Sequence, residues 1–340
     1  MPRARPHRRQ GTGAAVRDHA VLRSAVADAA GELTVFGGRQ GTTSPPGGPI
    51  VELDAGQGPC LMFADTGAEA SRSERPVLDQ FRLDGRVAVV TGGASSVGQS
   101  LSRGLAEAGA SIIVASRDLE SCRLYAAELE EAGSRAVGLH LNLTDEQSID
   151  ALAREVLERF GRVDILVNNA ISRFPGHVED FSAADWEAAM RVDATGFFLI
   201  TQRFLREMAR AHSGNVINIA SPLGERSAVP DLYPAGLDSL RPAFFFVKAG
   251  VINFTRFLAV AYAAHGIRVN CVSPGYNTNP PWYTSPGGIA IDPSLFAKRV
   301  PMKRLGHLDE YKGAVVFLAS DAASYVTGQN LVVDGGYSIW

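Results

Sequence analysis

Cysteine is scarce: Cys60, Cys122 and Cys271 are the only three in 340 residues. They are odd in number and widely spaced, which suits neither a disulfide framework nor a zinc site and points to a reducing cytosol. An excess of charge of one sign is also missing. Thirty-three Lys and Arg against 36 Asp and Glu leave a net −3 at pH 7, and the pI is near 6.2. Neither nucleic acid nor an acidic membrane surface is therefore expected as a partner. No apolar run of transmembrane length is expected. The basic start, MPRARPHRR, lacks the apolar stretch that a signal peptide needs. What remains is 46% hydrophobic and 20% charged residues, ordinary for a soluble domain with a full core. A cytoplasmic protein is expected.

The chain divides unequally. Residues 1–78 carry clustered arginines and Gly/Pro/Thr-rich stretches such as GGRQGTTSPPGGPI, with brief packable segments such as VLRSAVADAAGEL and CLMFA. Such composition reads as a mostly disordered extension without a functional signal. Residues 79–340 are expected to be one domain, with a cofactor half over 84–175 and a substrate or catalytic half over 176–340.

From Phe81 the pattern alternates strand-length apolar runs with helix-length amphipathic segments. Strands are expected at VAVVT (87–91), SIIVAS (111–116), AVGLHL (136–141), DILVNN (164–169), NVINIAS (215–221), IRVNCVS (267–273) and NLVVDGG (330–336). Between them lie helical stretches, two of them long, near 183–211 and 245–264. Buried β-branched runs separated by helices imply an α/β fold: a doubly wound, parallel, seven-stranded sheet of Rossmann type.

The first strand runs into Thr91-Gly92-Gly93-Ala94-Ser95-Ser96-Val97-Gly98 and then a helix. A glycine-rich turn lets backbone approach a pyrophosphate, and the helix N-terminus offers free N–H groups and a positive dipole end. Gly92, Ser95, Ser96, Val97 and Gly98 are thus cofactor-binding candidates. Alone such a loop is a modest signal.

Four stretches together, TGGASSVG, NNA, VKAGVINFTRFLAVAYAAHGIRVNCVSPG and VTGQNLVVDGGYSIW, resemble the short-chain dehydrogenase/reductase family in order and spacing, over residues 82–340. The long segment before Lys248 and the GGYSIW ending are closest to members acting on sugars, polyols and secondary-metabolite ketones. The resemblance implies a nicotinamide cofactor, a small-molecule substrate, and a homodimer or homotetramer built on the helices near 183–211 and 245–264. It also implies that Asn169 and Ala170 lie beside the cofactor, and that Pro274, Gly275 and Thr278 form the turn against the nicotinamide carboxamide.

The second strand ends Ala115-Ser116-Arg117. An NAD-preferring domain usually has an acid here for the ribose hydroxyls. Ser116 and Arg117 instead suit a 2′-phosphate, so NADP(H) is expected over NAD(H). The alternative is that Arg117 stacks on adenine or is solvated. Asp118 is read as the cap of the next helix. Asn142 stands where the family has an acid near adenine.

The resemblance also implies a Ser, a Tyr, and a Lys four residues after the Tyr, with an Asn on the preceding long helix. The Tyr hydroxyl delivers a proton while the Lys lowers its pKa from about 10. Ser221 matches the Ser and Lys248 the Lys. The Tyr position holds Phe244, and a phenyl ring cannot carry a proton. Val192-Asp193 replaces Val-Asn, Ser96 replaces the middle glycine of the phosphate loop, and Ile171 replaces the glycine after Asn-Asn-Ala. A left-handed turn at Ser96 would cost about 1 kcal/mol.

These departures gather around the ligand, while scaffold positions such as Asp164 and Gly335-Gly336 keep the pattern. Altered chemistry accounts for that more economically than decay. Tyr233 could replace the phenol or simply pack its ring. Asp193 could carry a proton through water or only pair with Lys248, and Tyr276 is a weaker candidate. The leading reading is an NADP(H)-dependent oxidoreductase of a ketone or secondary alcohol with a non-standard proton donor. The alternatives are a non-redox dehydratase, isomerase or cyclase using Asp193 and Lys248, or a silent subunit of a hetero-oligomer. The Phe244-Phe245-Phe246 run and Trp282-Tyr283 suit a bulky, partly apolar ligand or core packing.

Overall fold

The computed structural model describes residues 75–172, 174, 176–233, 242–278 and 292–340. The expected N-terminal extension, apart from its last four residues, and Trp282-Tyr283 lie outside the described residues.

Seven parallel strands form one sheet in the order β3-β2-β1-β4-β5-β6-β7. They are β1 Val87–Thr91, β2 Ser111–Ser116, β3 Ala136–His140, β4 Ile165–Asn168, β5 Gly214–Ile219, β6 Ile267–Pro274 and β7 Asn330–Val333. All seven fall on the runs read from the sequence. The order reverses between β1 and β4, and a doubly wound sheet opens a crevice for ligands at the carboxyl ends of the strands there. Within β1 the side chains alternate faces. Ala88 and Val90 enter one core with Leu101, Leu105, Tyr125 and Leu318. Val87 and Val89 enter the other with Ile149, Leu152, Phe204 and Leu258. The first core is closed by α1 (Ser96–Glu107), α2 (Leu119–Glu131) and α8 (Lys312–Ala319), the second by α3 (Glu146–Phe160), α5 (Phe197–Arg210) and α6 (Pro242–Tyr262).

Caps set where the helices begin. Asp118 accepts from the Ser121 N–H, as expected of a helix cap, and Asp145 accepts from the Gln147 N–H; such caps satisfy otherwise orphaned amides. Asp164 ties the sheet together from below: its buried carboxylate accepts from the Val87 N–H at 2.8 Å and from the Arg162 guanidinium.

The structure refines three expectations. The long helix expected near 183–211 is present with one widened turn inside it: α4 (Ala183–Met190) passes through a π-helical turn, Arg191–Gly196, into α5. At the end of that turn Gly196 packs against Leu143, where a Cβ would lie 2.3 Å from the Leu143 carbonyl oxygen. Sequence periodicity cannot show a single widened turn, because it shifts the pattern by only one residue. Two short helices were also missed, α7 (Pro293–Arg299) and α8. The sequence of α8, KGAVVFLA, is apolar nearly all round, so it carries no helical stripe.

The third correction concerns apolar length. Among the described residues one helical stretch, Pro242–His265, is long and apolar enough to cross a membrane. Its residues Ala243, Val247, Val251, Ile252, Leu258 and Ala259 are buried in the domain, so the apolarity is used in packing on the sheet.

Candidate active site

The phosphate loop is built by close approach. Gly92 takes a left-handed φ of +61° at the strand end, a conformation that a Cβ would strain. Gly98 sits so near the strand that a Cβ would lie 2.1 Å from the Gly92 carbonyl oxygen. Ser95 caps α1, accepting from the Gly98 N–H at 3.3 Å and donating to the Gly92 carbonyl at 2.7 Å. Val97 packs its side chain on the core beneath. Ser96 is the first helical residue. The only non-glycine residues with positive φ among those described are His212 and Lys303. The strain expected at Ser96 therefore does not arise, because the left-handed turn is made by Gly92.

The loop after β4 braces the phosphate loop. The Asn169 side-chain amide donates to the carbonyls of Thr91 and Gly92 at 2.9 and 3.0 Å. The backbone N–H groups of Asn169 and Ala170 both donate to Thr91 Oγ1 at 3.0 Å. These two expected cofactor residues thus hold the loop in shape. The cradle fits a dinucleotide phosphate: a capped helix N-terminus faces a turn from which Cβ atoms are excluded.

At the end of β2, Ser116 is half-buried, its hydroxyl 3.0 Å from Cys122 Sγ and donating to the Asp118 carbonyl at 3.2 Å. Arg117 is exposed. Asn142 closes a local turn, its side-chain oxygen accepting from the Thr144 N–H and hydroxyl.

Two residues expected to be catalytic, Ser221 and Lys248, lie at the carboxyl end of β5 and on the helix facing it. Ser221, two residues past β5, is buried in extended backbone and accepts from the Leu223 N–H at 3.2 Å. Lys248, on the second turn of α6, is 6% exposed. Its ammonium donates to the Ile219 carbonyl at 2.5 Å. It also lies 5.7 Å from the centroid of the Phe244 ring, within cation–π range. Phe244 turns its ring toward Lys248 as its place one helical turn earlier requires.

Asp193, in the π-helical turn, is also 6% exposed. Its two carboxylate oxygens accept from the backbone N–H and the hydroxyl of Ser172, each at 2.6 Å. Ser172 went unnoticed in the sequence; the signal available was its place directly after the departure at Ile171. The Asp193 carboxylate thus grips the loop that follows Asn169-Ala170.

Tyr233 is buried and its hydroxyl pairs with that of Tyr276 at 2.7 Å. Both rings meet Phe296 of α7, with centroids 5.5 and 4.5 Å away. Burial, then the neighbouring Tyr233 and Tyr337, push the Tyr276 phenol far above its usual pKa. The ring-packing reading of Tyr233 is therefore met, whatever its hydroxyl does besides. Pro274 ends β6, and Gly275 lies so close to the turn after β7 that a Cβ would be 2.6 Å from Asp334 Cα. The Thr278 N–H donates to the Gly306 carbonyl at 2.9 Å. Lys248, Ser221, Pro274 and Gly275 all stand at the carboxyl ends of β5 and β6 or facing them.

Comparison with known proteins agrees with this geometry. Residues 92–338 match the family model described as enoyl-(acyl carrier protein) reductase. A cis-4-hydroxycyclohexanecarboxylate dehydrogenase of Sinomonas cyclohexanicum is 39% identical over 254 residues, covering 74% of this chain and 96% of that protein. A D-threitol dehydrogenase of Mycolicibacterium smegmatis is 34% identical, over 76% of this chain and 95% of the relative. Among solved structures, a gluconate 5-dehydrogenase from Burkholderia cenocepacia, in complex with NADP and tartrate, superposes with a TM-score of 0.70. It is 34% identical, over 77% of this chain and 99% of its own.

Proposed function

The chain belongs to the short-chain dehydrogenase/reductase family, and from that premise we propose that it is an NADP(H)-dependent oxidoreductase of a hydroxylated small molecule whose proton is not delivered by a tyrosine. The observation that carries this reading is the buried Lys248, held by the carbonyl of Ile219 two residues before Ser221, at the carboxyl ends of the strands with an intact phosphate cradle.

When bound, the nicotinamide supplies or accepts hydride. Gly92, Ser95, Ser96, Val97 and Gly98 would hold its pyrophosphate, and Ser116 and Arg117 would bind a 2′-phosphate. Asn142 would serve the adenine, while Pro274, Gly275 and Thr278 would receive the carboxamide. Ser221 Oγ hydrogen-bonds the reacting oxygen, and the Lys248 ammonium stabilises negative charge developing there. Phe244 presents its ring to Lys248, but it moves no proton. Asp193, relayed by water, is the proton carrier this reading favours, since a carboxylate can take up and release a proton while still hydrogen-bonded to Ser172.

A second reading has the same support in Asp193: two buried ionisable groups, Asp193 and Lys248, would serve as acid and base in a dehydration or isomerisation without redox change. The test is to mix the protein with NADPH and a panel of ketones and follow nicotinamide absorbance. Turnover supports the redox reading. Tight NADPH binding with no turnover overturns it and leaves the non-redox enzyme or a silent subunit.

The protein is proposed to act as a homodimer or homotetramer in the cytoplasm. Phe198, Phe257 and Val260 on α5 and α6 are exposed by 44%, 62% and 83%, a large apolar surface for an isolated domain.

A further inference from the structure

The helix α7 has only seven residues, too few to be stable without tertiary support. Its inner face is anchored by Phe296, which is fully buried against the rings of Tyr233 and Tyr276. Those tyrosines stand in the loop after β5 and two residues past β6, on the edge where a doubly wound sheet receives its ligand. The seat of Phe296 therefore shapes the wall on the substrate side.

The outer end of α7 is fastened by two residues that do not belong to it. A helix C-terminus leaves carbonyl groups without intrahelical partners. Here the Lys303 ammonium donates to the Lys298 carbonyl at 3.0 Å, and the Trp340 indole N–H donates to the Arg299 carbonyl at 2.8 Å. The same ammonium lies 5.1 Å from the centroid of the Trp340 ring, within cation–π range. Lys303 reaches this place in a left-handed backbone, with φ +56°. Such a conformation favours glycine, and a strained lysine persists only where its surroundings hold it. Its two side-chain contacts do so.

Trp340 is tied in turn to the loop after Ser221. The Arg226 guanidinium donates to the backbone oxygens of Tyr337 and Trp340 at 2.9 and 3.3 Å. Arg299 completes the ring of contacts with an ion pair to Asp231 at 3.0 Å.

We propose that Lys303 and Trp340 are positioning residues for substrate: together they seat α7, and with it Phe296, on the wall past β5 and β6. This deepens the oxidoreductase reading above and rests on it. Neither residue touches the substrate. They set the fraction of molecules in which α7 is seated, and a ligand that needs the seated state binds with an affinity reduced by that fraction. Loosening the fastening raises KM and leaves kcat alone, because saturating substrate restores the seated state.

The test uses the full chain with NADPH. Hydrogen exchange of the α7 amides reads the fastening, and steady-state reduction of cyclohexanone, acetoin and dihydroxyacetone reads its consequence. Trp340→Ala should speed α7 exchange and raise KM about tenfold at unchanged kcat. Lys303→Gly loses the ammonium but relieves the backbone. Its Tm should stand at or above that of the wild type, while KM rises about threefold. A merely structural role would move KM and Tm together. Lys303→Arg, which keeps the cation, should stay near the wild type, and the exposed Tyr325→Phe is the control. NADPH affinity should be the same in every variant.

Unchanged α7 exchange in Trp340→Ala, an unchanged KM despite faster exchange, or a fall in kcat in place of the rise in KM overturns the inference alone. A wild type that binds NADPH and reduces none of the three ketones overturns the oxidoreductase reading and the inference with it.

Discussion

The Lys248 ammonium lies 5.7 Å from the centroid of the Phe244 ring and donates to the Ile219 carbonyl. The lysine that would tune a phenol in the family is thus retained and held, although its neighbour has no proton to tune.

Phe244→Tyr restores a phenol beside a buried ammonium, which favours the phenolate. Ketone reduction with NADPH should rise by on the order of 10²-fold, the lower range for general acid catalysis. The measurement is kcat with its pH profile, in which a new ionisation should appear. An unchanged rate would mean that the surrounding site no longer presents substrate to that position.

Asp193→Asn weakens the grip on Ser172, because a carboxylate accepting two hydrogen bonds becomes a neutral amide with one acceptor oxygen. A loss of about 2 kcal/mol in stability is expected, read by denaturant unfolding. Ser172→Ala should cost a similar amount without removing the carboxylate. If Asp193 carries the proton, Asp193→Asn lowers kcat strongly while Ser172→Ala does so weakly. Equal effects on kcat would assign Asp193 a positioning role only.

Arg117→Ala removes the exposed guanidinium proposed to face the 2′-phosphate. NADPH affinity should fall on the order of tenfold while NADH affinity stays unchanged. Equilibrium titration of both nucleotides decides it. Tighter binding of NADH by the wild type would refute the assignment of NADP(H).

Cys271, on β6, is buried and its thiol sits 3.0 Å from Thr255 Oγ1. Burial raises its pKa from 9.0 to about 11, so the folded chain keeps the proton longer than the unfolded one. Its contribution to stability is complete below pH 9, declines as pH rises, and is gone above about pH 11. In a Cys60→Ser background, Cys122 and Cys271 should resist a thiol reagent at pH 8 until the protein is unfolded. Rapid labelling of the native protein would contradict this burial.

How much of this was legible beforehand can be argued element by element. The seven strands could be read because each is a short β-branched run between helix-length segments, a pattern that a doubly wound sheet imposes on its sequence. Asp118 could be read as a cap because a side chain bonding backbone three residues on is a local matter. The short helix α8 could not, since a sequence apolar nearly all round shows no periodic face. The π-helical turn escaped for a related reason: it adds one residue and leaves composition untouched.

The sequence by itself determined which groups are present: a glycine-rich loop ahead of a helix, Ser221 and Lys248 kept, a phenyl ring in place of a phenol, and a carboxylate in place of an amide. Those are statements about chemistry at single positions. Tertiary structure alone decided what each group touches. It placed the left-handed turn at Gly92 so that Ser96 is unstrained, joined Asp193 to Ser172 across 21 residues, and joined Tyr233 to Tyr276 across 43. It also packed the Tyr276 ring edge-on against Tyr337, with centroids 4.9 Å apart. Hydrogen bonds and ring contacts act over a few ångströms, so their partners are set by how strand ends and loops converge in space. Spacing along the chain carries no direct record of that convergence.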